Sequence, residues 1–187
     1  MVGLKRGTVM LCPHETEWET AAAETIRMLK TVFGTQAEDI QHVGSTSIRG
    51  IRAKPILDIA VAVRDMEAVR DLIPALEEIG VIFRGEDHPG EYLFVMGDFG
   101  KDTRTHHIHV CPADGEDWKN YMNFRDYMNA HPEKAAAYDR LKGELAEKYA
   151  LDRGSYTAGK ATFIAGILRE AEEWRYQDTI PNQSTLH

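Results

Sequence analysis

Residues 42–47 and Asp58 are the part of the sequence whose residue types and spacing suit chemistry on a phosphate. The segment reads His-Val-Gly-Ser-Thr-Ser, and Asp58 follows eleven residues after Ser47 within an apolar stretch. Gly44 permits close backbone approach, and hydroxyl groups with free backbone N–H groups at a helix start suit a phosphate. A carboxylate held nearby on a strand can carry the magnesium that accompanies such a phosphate. Because Gly-Ser turns mostly just cap helices, a structural role for this segment is the alternative.

A histidine pair is the second candidate feature. Along the predicted strand of residues 104–111, alternation places Ile108 on the core face and both His107 and His109 on the opposite face. Two imidazoles on one face can meet one metal ion or one phosphate. Two partly exposed histidines on an edge strand are the structural alternative. If this strand lies beside the strand of Asp58, we expect the three side chains to converge.

Arg125 and Lys160 are cations that fall within apolar helical stripes. Each lies three or four residues from apolar members of its own helix, so each faces the core side of that helix. Because cations are rarely buried unpaired, each needs an anion. That anion is either a substrate phosphate or a structural partner, for example Asp58 in the case of Arg125.

The elements that position these residues follow from periodicity. The predicted strands are residues 40–43, 56–63, 81–83, 92–96 and 104–111, and residues 9–11 are either an edge strand or an apolar clip. The predicted helices run from Pro13 to Gly34, from Asp65 to Gly80, and in three segments between Pro112 and residue 176, the last from about Thr157. The expected fold class is α+β: a small mixed, mostly antiparallel sheet with flanking helices, followed by a three-helix C-terminal segment.

Length and composition bound the class of protein. The 187 residues fit one domain over residues 1–176, with a core at about 14–111, a helical part at about 112–176 and a flexible tail at 177–187. The net charge of −8 argues against nucleic acid as a partner. No apolar run approaches membrane-spanning length, and the two cysteines form no disulfide framework. We therefore expect a cytoplasmic protein with no membrane partner, whose oligomeric state the sequence leaves open.

Five sequence blocks resemble the GrpB family, which is placed in the nucleotidyltransferase superfamily of the DNA polymerase beta type. The blocks are residues 42–47, Ala53 to Ile59, Arg104 to Val110, Phe124 to Tyr127, and Tyr156 to Ile164, and the match covers about residues 14–172 in order. The resemblance implies a small mixed sheet with a Gly-Ser motif, an acidic strand and a helical region that completes the site. It also implies that Gly44 and Ser45 hold the phosphates of a nucleoside triphosphate while a substrate hydroxyl attacks the α-phosphorus.

The sequence departs from the superfamily pattern on the acidic strand. The usual pattern has two acids two residues apart, whereas Asp58 is followed by Ala60. His107 and His109 are candidates for the missing ligands, which would favour Mn²⁺ or Zn²⁺ over Mg²⁺. Glu91 stands where the family often has arginine.

The candidate site residues divide by role. Lys54 precedes the strand of Asp58, His42 is either a general base or a strand-end residue, and Arg104 is either a ligand or a strand-end charge. The candidate catalytic residues are Asp58, His107, His109 and His42, and the candidate metal ligands are Asp58, His107 and His109. The candidate phosphate- or nucleotide-binding residues are Gly44, Ser45, Thr46, Ser47, Lys54, Arg104, Arg125 and Lys160.

Three functions compete on this evidence. The first is a metal-dependent nucleotidyltransferase that moves a nucleoside monophosphate from a nucleoside triphosphate to a small-molecule acceptor, with Mg²⁺, Mn²⁺ or Zn²⁺ as cofactor. The second, indicated by Ala60, is a nucleotide- or metal-binding domain with impaired catalysis. The third is a histidine-dependent phosphohydrolase or phosphotransferase. The third ranks last because Cys111 stands where the histidine-triad pattern has its third alternating histidine.

Overall fold

The computed structural model describes residues 2–179. Their strands are β1 (Leu4–Lys5), β2 (Ala37–Val43), β3 (Leu57–Val63), β4 (Ile82–His88), β5 (Glu91–Met96), β6 (Thr103–Arg104) and β7 (His106–Pro112). Their helices are α1 (Glu17–Phe33), α2 (Met66–Glu78), α3 (Glu116–Ala130), α4 (Pro132–Lys148), α5 (Arg153–Gly159) and α6 (Ala161–Thr179). Among these described helices, none is both long and apolar enough to cross a bilayer.

The main sheet has the strand order β2-β3-β7-β5-β4, and β1 pairs separately with β6. The central pair, β3 and β7, is parallel, while the pairs β2–β3, β5–β7 and β4–β5 are antiparallel. This mixed, mostly antiparallel sheet with packed helices confirms the predicted α+β class.

Both faces of the central strands are covered by helices. Alternate residues from Leu57 to Val63 pack with Trp18, Leu29 and other residues of α1 and α2. On the opposite face Ala60 and Ala62 are buried, and α3 contacts β3 and β7. Small side chains on that face let the helix approach closely, so the face that carries Asp58 is partly covered rather than open.

Residues 9–11 form no edge strand, and the buried Val9 corresponds to the other alternative, an apolar clip. The Val9 N–H donates to the Ala150 carbonyl at 3.0 Å, and Cys12 forms an isolated bridge with Ala53. The N-terminal segment therefore contacts the loop after α4 and the segment before β3, and its short strand is β1.

Strand β4 and the last predicted helix differ in extent from the elements that periodicity predicts. Strand β4 continues through exposed polar residues to His88, because its main-chain pairing with β5 does not require apolar side chains. The last predicted helix is divided into α5 and α6 at Lys160, so the helical segment from α3 onward has four helices within the described chain. Helix α6 continues to Thr179, and the rest of the predicted tail, residues 180–187, lies outside the described residues.

Lys142 is a buried lysine that joins α4 to the segment before β3. Its side chain is 1% exposed, and its Nζ donates to the Arg52 carbonyl and lies 4.8 Å from the centre of the Tyr138 ring. No carboxylate in the described part of the chain lies within 4.0 Å of this Nζ. Burial lowers the pKa of Lys142 to about 7, although Asp139 opposes the shift.

We expect Lys142→Met to be more stable than the wild type at neutral and acidic pH. Below about pH 7 the native protein buries a charge that the variant lacks, and burial of an unpaired charge is costly. The pKa of Lys142 is about 7 in the native protein and 10.5 in the unfolded chain. Wild-type stability therefore rises as the pH increases from about 7 to 10.5, and the advantage of the variant disappears over that range.

Urea unfolding across this pH range measures the difference. Lys148→Met, an exposed change on the same helix, is the matched control. An advantage of Lys142→Met that grows as the pH rises would contradict the expectation.

Candidate functional site

The parallel pairing of β3 with β7 brings Asp58 together with both candidate histidines. Asp58 lies opposite His107, and Ala60 lies opposite His109. His107 Nδ1 is 3.2 Å from Asp58 Oδ1, and His109 Nε2 is 3.8 Å from the same oxygen. Although burial opposes it, the two imidazoles hold the pKa of Asp58 far below its usual range, so this carboxylate is ionised.

The loop after β2 lies directly against Asp58. Gly44 has φ of +70°, and residues Ser45–Ser47 form a single 3₁₀ turn rather than the start of a longer helix. A Cβ on Gly44 would lie 2.9 Å from both Cβ and Cγ of Asp58, so only glycine permits this approach. The Ser47 hydroxyl closes the turn by donating to the Gly44 carbonyl at 2.7 Å.

A hydrogen bond between His42 and Thr46 connects this loop to the end of β2. The His42 Nε2 and Thr46 Oγ1 atoms are 2.8 Å apart, and Thr46 is buried. Burial lowers the pKa of His42 to about 4, so the imidazole is neutral at neutral pH. The contacts of both residues indicate that they hold the loop in place.

A cavity of about 280 Å³ lies between the loop, the sheet and the helical segment. Gly44, Ser45 and Asp58 form its polar side, and Lys160 reaches it from the junction of α5 and α6. The other lining residues are Asp117, Asn120, Tyr121, Phe124, Tyr138, Ile164 and Leu168. The Ser45 hydroxyl lies 3.5 Å from the Tyr138 hydroxyl. A hydroxyl-lined turn, a carboxylate and a cation therefore border one partly open cavity.

Lys160 and Lys54 make one side of this region positive. Their Nζ atoms lie 4.8 Å and 5.2 Å from the centre of the Tyr156 ring. Among the side chains of residues 2–177, no carboxylate lies within 4.0 Å of either ammonium group. Burial lowers the pKa of Lys160, and burial together with Lys160 lowers the pKa of Lys54 to about 8. Two half-buried cations without salt bridges favour an anionic ligand.

Arg125 does not reach Asp58. Its Nε donates to Asp126 at 2.7 Å, and one guanidinium nitrogen donates to the Gln41 side chain at 2.8 Å and to the His42 carbonyl at 3.3 Å. It lines a different cavity, of about 910 Å³, between α1, β2 and the start of α4. Asp58, named as an example of a structural partner, does not pair with Arg125, and the carboxylate that Arg125 meets is Asp126.

Arg104 also lies away from the cavity that contains Asp58. It pairs through β6 with β1, donates to the Thr103 carbonyl at 3.0 Å and places its guanidinium 4.7 Å from the centre of the Phe99 ring. These contacts correspond to the alternative interpretation of Arg104 as a strand-end charge.

Glu91 and Tyr121 join the site although the sequence analysis did not select them. Glu91 is 1% exposed, and its two oxygens accept from His109 Nδ1 at 2.9 Å and from the Tyr121 hydroxyl at 2.8 Å. Burial alone would lower the pKa of His109, but Asp58 and Glu91 raise it to about 10. His109 is therefore an imidazolium between two carboxylates. The sequence feature that could have drawn attention to Glu91 is its position, where the family often has arginine.

The residues around Asp58 only partly fit the metal chemistry of the superfamily. Ala60 is fully buried where a second acid would stand, so a carboxylate pair for Mg²⁺ is missing. One carboxylate with His107 and His109 is a donor set that suits Mn²⁺ or Zn²⁺ once His109 Nε2 has lost its proton, so metal binding there would release a proton. Among the described residues, a different group has its donor atoms all within 4.8 Å of one another, and its members are His88, Glu91 and Asp117.

Solved structures share this architecture. GrpB from Enterococcus faecalis superposes with a TM-score of 0.83 at 29% identity, covering 89% of this chain and 99% of that chain. A Cid1 poly(U) polymerase structure with Mg 3′-dATP bound gives a TM-score of 0.53 at 12% identity, covering 80% of this chain and 49% of that chain. The second likeness extends to the fold alone, which is nucleotidyltransferase-like.

Sequence relatives agree with the first of these structures. The glutamate-rich protein GrpB of Alkalihalophilus pseudofirmus is 38% identical over 173 residues, which cover 91% of this chain and 99% of that protein. The family model described as GrpB protein matches residues 8–170. Both the match to the family model and the identity to this relative show that the chain belongs to the GrpB family.

Proposed function

We propose that this protein transfers a nucleoside monophosphate from a nucleoside triphosphate to a small-molecule acceptor with the help of a divalent cation. The observation that carries the proposal is the cavity in which Gly44–Ser45, Asp58 and Lys160 meet, in a nucleotidyltransferase-like fold. Its volume of about 280 Å³ is small for a ligand pocket and suits the phosphate portion of a nucleotide.

The residues of the cavity divide the work of phosphate binding. The Ser45 hydroxyl and the backbone N–H groups of Ser45 and Thr46 donate to phosphate oxygens, while Lys160 in the cavity and Lys54 beside it neutralise the charge that the phosphates bring. The acceptor hydroxyl oxygen forms a bond to the α-phosphorus and its proton passes to solvent. The bond from the α-phosphorus to the oxygen that bridges it to the β-phosphorus breaks, and pyrophosphate leaves with that electron pair. When bound by Asp58 with His107 and His109, a cation such as Mn²⁺ would supply Lewis-acid polarisation of phosphate oxygens.

Release of pyrophosphate tests the transfer reaction. With each nucleoside triphosphate, Mn²⁺ or Mg²⁺ and a pool of small metabolites, we expect release with at least one nucleotide. Asp58→Asn is expected to lower the rate at least about 100-fold, because the charge that faces the phosphate turn and the cation is removed.

Asp71→Asn, an exposed change on α2, is the matched control and should leave the rate unchanged. The proposal fails if no nucleotide yields pyrophosphate with either cation, or if Asp58→Asn and Asp71→Asn are equally active.

A nucleotide-binding domain without transfer is the second candidate. It is favoured by Ala60, which lies in register between Gln41 on β2 and His109 on β7 and leaves no carboxylate at the second position. Calorimetry would then show nucleotide binding without pyrophosphate release, and Ala60→Asp is the informative probe. The histidine-dependent phosphohydrolase has less support, because both ring nitrogens of His109 face carboxylates.

A further inference from the structure

We propose a divalent-cation site formed by His88, Glu91 and Asp117, separate from Asp58 and built to take a first-row transition metal such as Mn²⁺ or Zn²⁺. The three residues come from three elements: the end of β4, the start of β5 and the first turn of α3. The tight turn of the β4–β5 hairpin places the first two side by side, and α3 brings the third.

The donor atoms are close to the separations that one ion requires. His88 Nε2 lies 3.7 Å from Glu91 Oε1 and 3.7 Å from Asp117 Oδ1. Donors that share an ion at about 2.1 Å lie roughly 3.0–3.5 Å apart, so small side-chain movements complete the site. One imidazole with two carboxylates is a donor set used by Mn²⁺ and Zn²⁺ rather than by thiolate-selective ions.

Glu91 is the residue that makes this a prepared site rather than a chance surface group. Its side chain is only 2% exposed, and His109 and Tyr121 fix it by donating one hydrogen bond to each carboxylate oxygen. Buried partners that orient a ligating carboxylate in this way are typical of metal centres. A carboxylate oxygen has two lone pairs, so the oxygen bonded to His109 keeps one for a cation on the side of His88.

The other two donors leave room for exchange with solvent. The side chains of His88 and Asp117 are 45% and 34% exposed, and Asp117 also lines the cavity that contains Asp58. A cation here would therefore sit at the edge of that cavity, with open coordination positions for water or a ligand oxygen. The inference does not depend on the proposed transfer reaction, since it concerns binding of the metal alone.

Calorimetric titration of the full chain with Mn²⁺ or Zn²⁺, after chelator treatment and removal, tests the site without nucleotide. We expect an ion to bind whose affinity falls at least about tenfold in His88→Ala and in Asp117→Asn, and any ion bound at Asp58 is distinguished by its loss in Asp58→Asn. Glu116→Gln, an exposed neighbour on α3, and Asp58→Asn, at the other candidate site, should leave the affinity unchanged.

Two results would overturn the inference. One is absence of binding by the wild type, and the other is binding that is lost in Asp58→Asn but kept in His88→Ala and Asp117→Asn. Circular dichroism spectra of all four variants confirm that a loss of binding is not a loss of fold. Because pyrophosphate release is measured separately, failure of the metal site and failure of nucleotidyl transfer are distinguishable.

Discussion

Replacement of Gly44 by alanine is expected to destabilise the protein by about 3–5 kcal/mol and to abolish nucleotide binding in the cavity. The new methyl group would overlap the Asp58 side chain, 2.9 Å from its Cβ and Cγ, in a backbone conformation with φ of +70° that L-residues rarely adopt. Neither the loop nor the central strand β3 can shift to relieve the overlap without disturbing the core, because the flanking Val43 and Leu57 are fully buried. Urea unfolding gives the stability change, and calorimetry gives the loss of binding.

Gly50→Ala separates the clash from the conformational cost. Gly50 has φ of +75°, but an added Cβ would have no atom within 4 Å, so only about 1–2 kcal/mol is expected there. Asp58→Ala removes the carboxyl group that the methyl group added at Gly44 would meet, and in that background the cost of Gly44→Ala should fall by more than about 1 kcal/mol. Equal effects at Gly44 and Gly50 would show that the contact with Asp58 is unimportant.

Glu91→Gln is expected to destabilise the protein by about 2–3 kcal/mol near pH 6, because it leaves the His109 imidazolium with one carboxylate instead of two. Breaking a buried charge pair usually costs about 3–5 kcal/mol, and the remaining Asp58, 3.8 Å from His109, limits the loss here. Urea unfolding in the presence of a chelator measures the change without interference from bound cations.

The pH dependence of this effect has a defined sign. The pKa of His109 is raised from 6.5 to about 10, so its charge pair stabilises fully below 6.5 and is lost as the pH rises through the higher value. The pKa of Glu91 is lowered by His109 and Tyr121 despite burial, so the same interaction is lost again in acid, below 4.5. The difference between Glu91→Gln and the wild type should therefore be largest between 4.5 and 6.5 and shrink toward pH 10.

Glu78→Gln, an exposed change on α2, should show neither the loss nor the pH dependence. A constant difference in stability between Glu91→Gln and the wild type from pH 6 to about pH 10 would mean that Glu91 does not raise the pKa of His109.

The sequence predicted those parts of the site that depend on strand alternation. Because side chains alternate along a strand, Asp58 and the two histidines had to share a face once β3 and β7 were neighbours, and the structure places them together. Periodicity left open whether the two strands are neighbours, and the structure shows that they are paired.

The parts that were not predicted depend on packing between distant elements. Glu91 is the first residue of β5, one residue before the predicted strand at 92–96. Nothing in the local sequence shows that Tyr121 and His109 each donate a hydrogen bond to its carboxylate. Arg125 faces inward as its spacing indicates, but spacing cannot show which of two cavities its helix borders. Lys142 is buried against the general expectation for lysine, and its partner is a backbone carbonyl that no sequence pattern marks.

The parallel pair at the centre of the sheet also determines when the site can exist during folding. Asp58 and His107 are 49 residues apart, and the chain between them contains α2 and the β4–β5 hairpin. Such non-local pairing carries a large loop-closure entropy and tends to form late. A partly synthesised chain that ends before β7 would thus have the phosphate turn without its histidines. Ligand binding at the site is expected to report on completion of the whole sheet, rather than on any fragment of it.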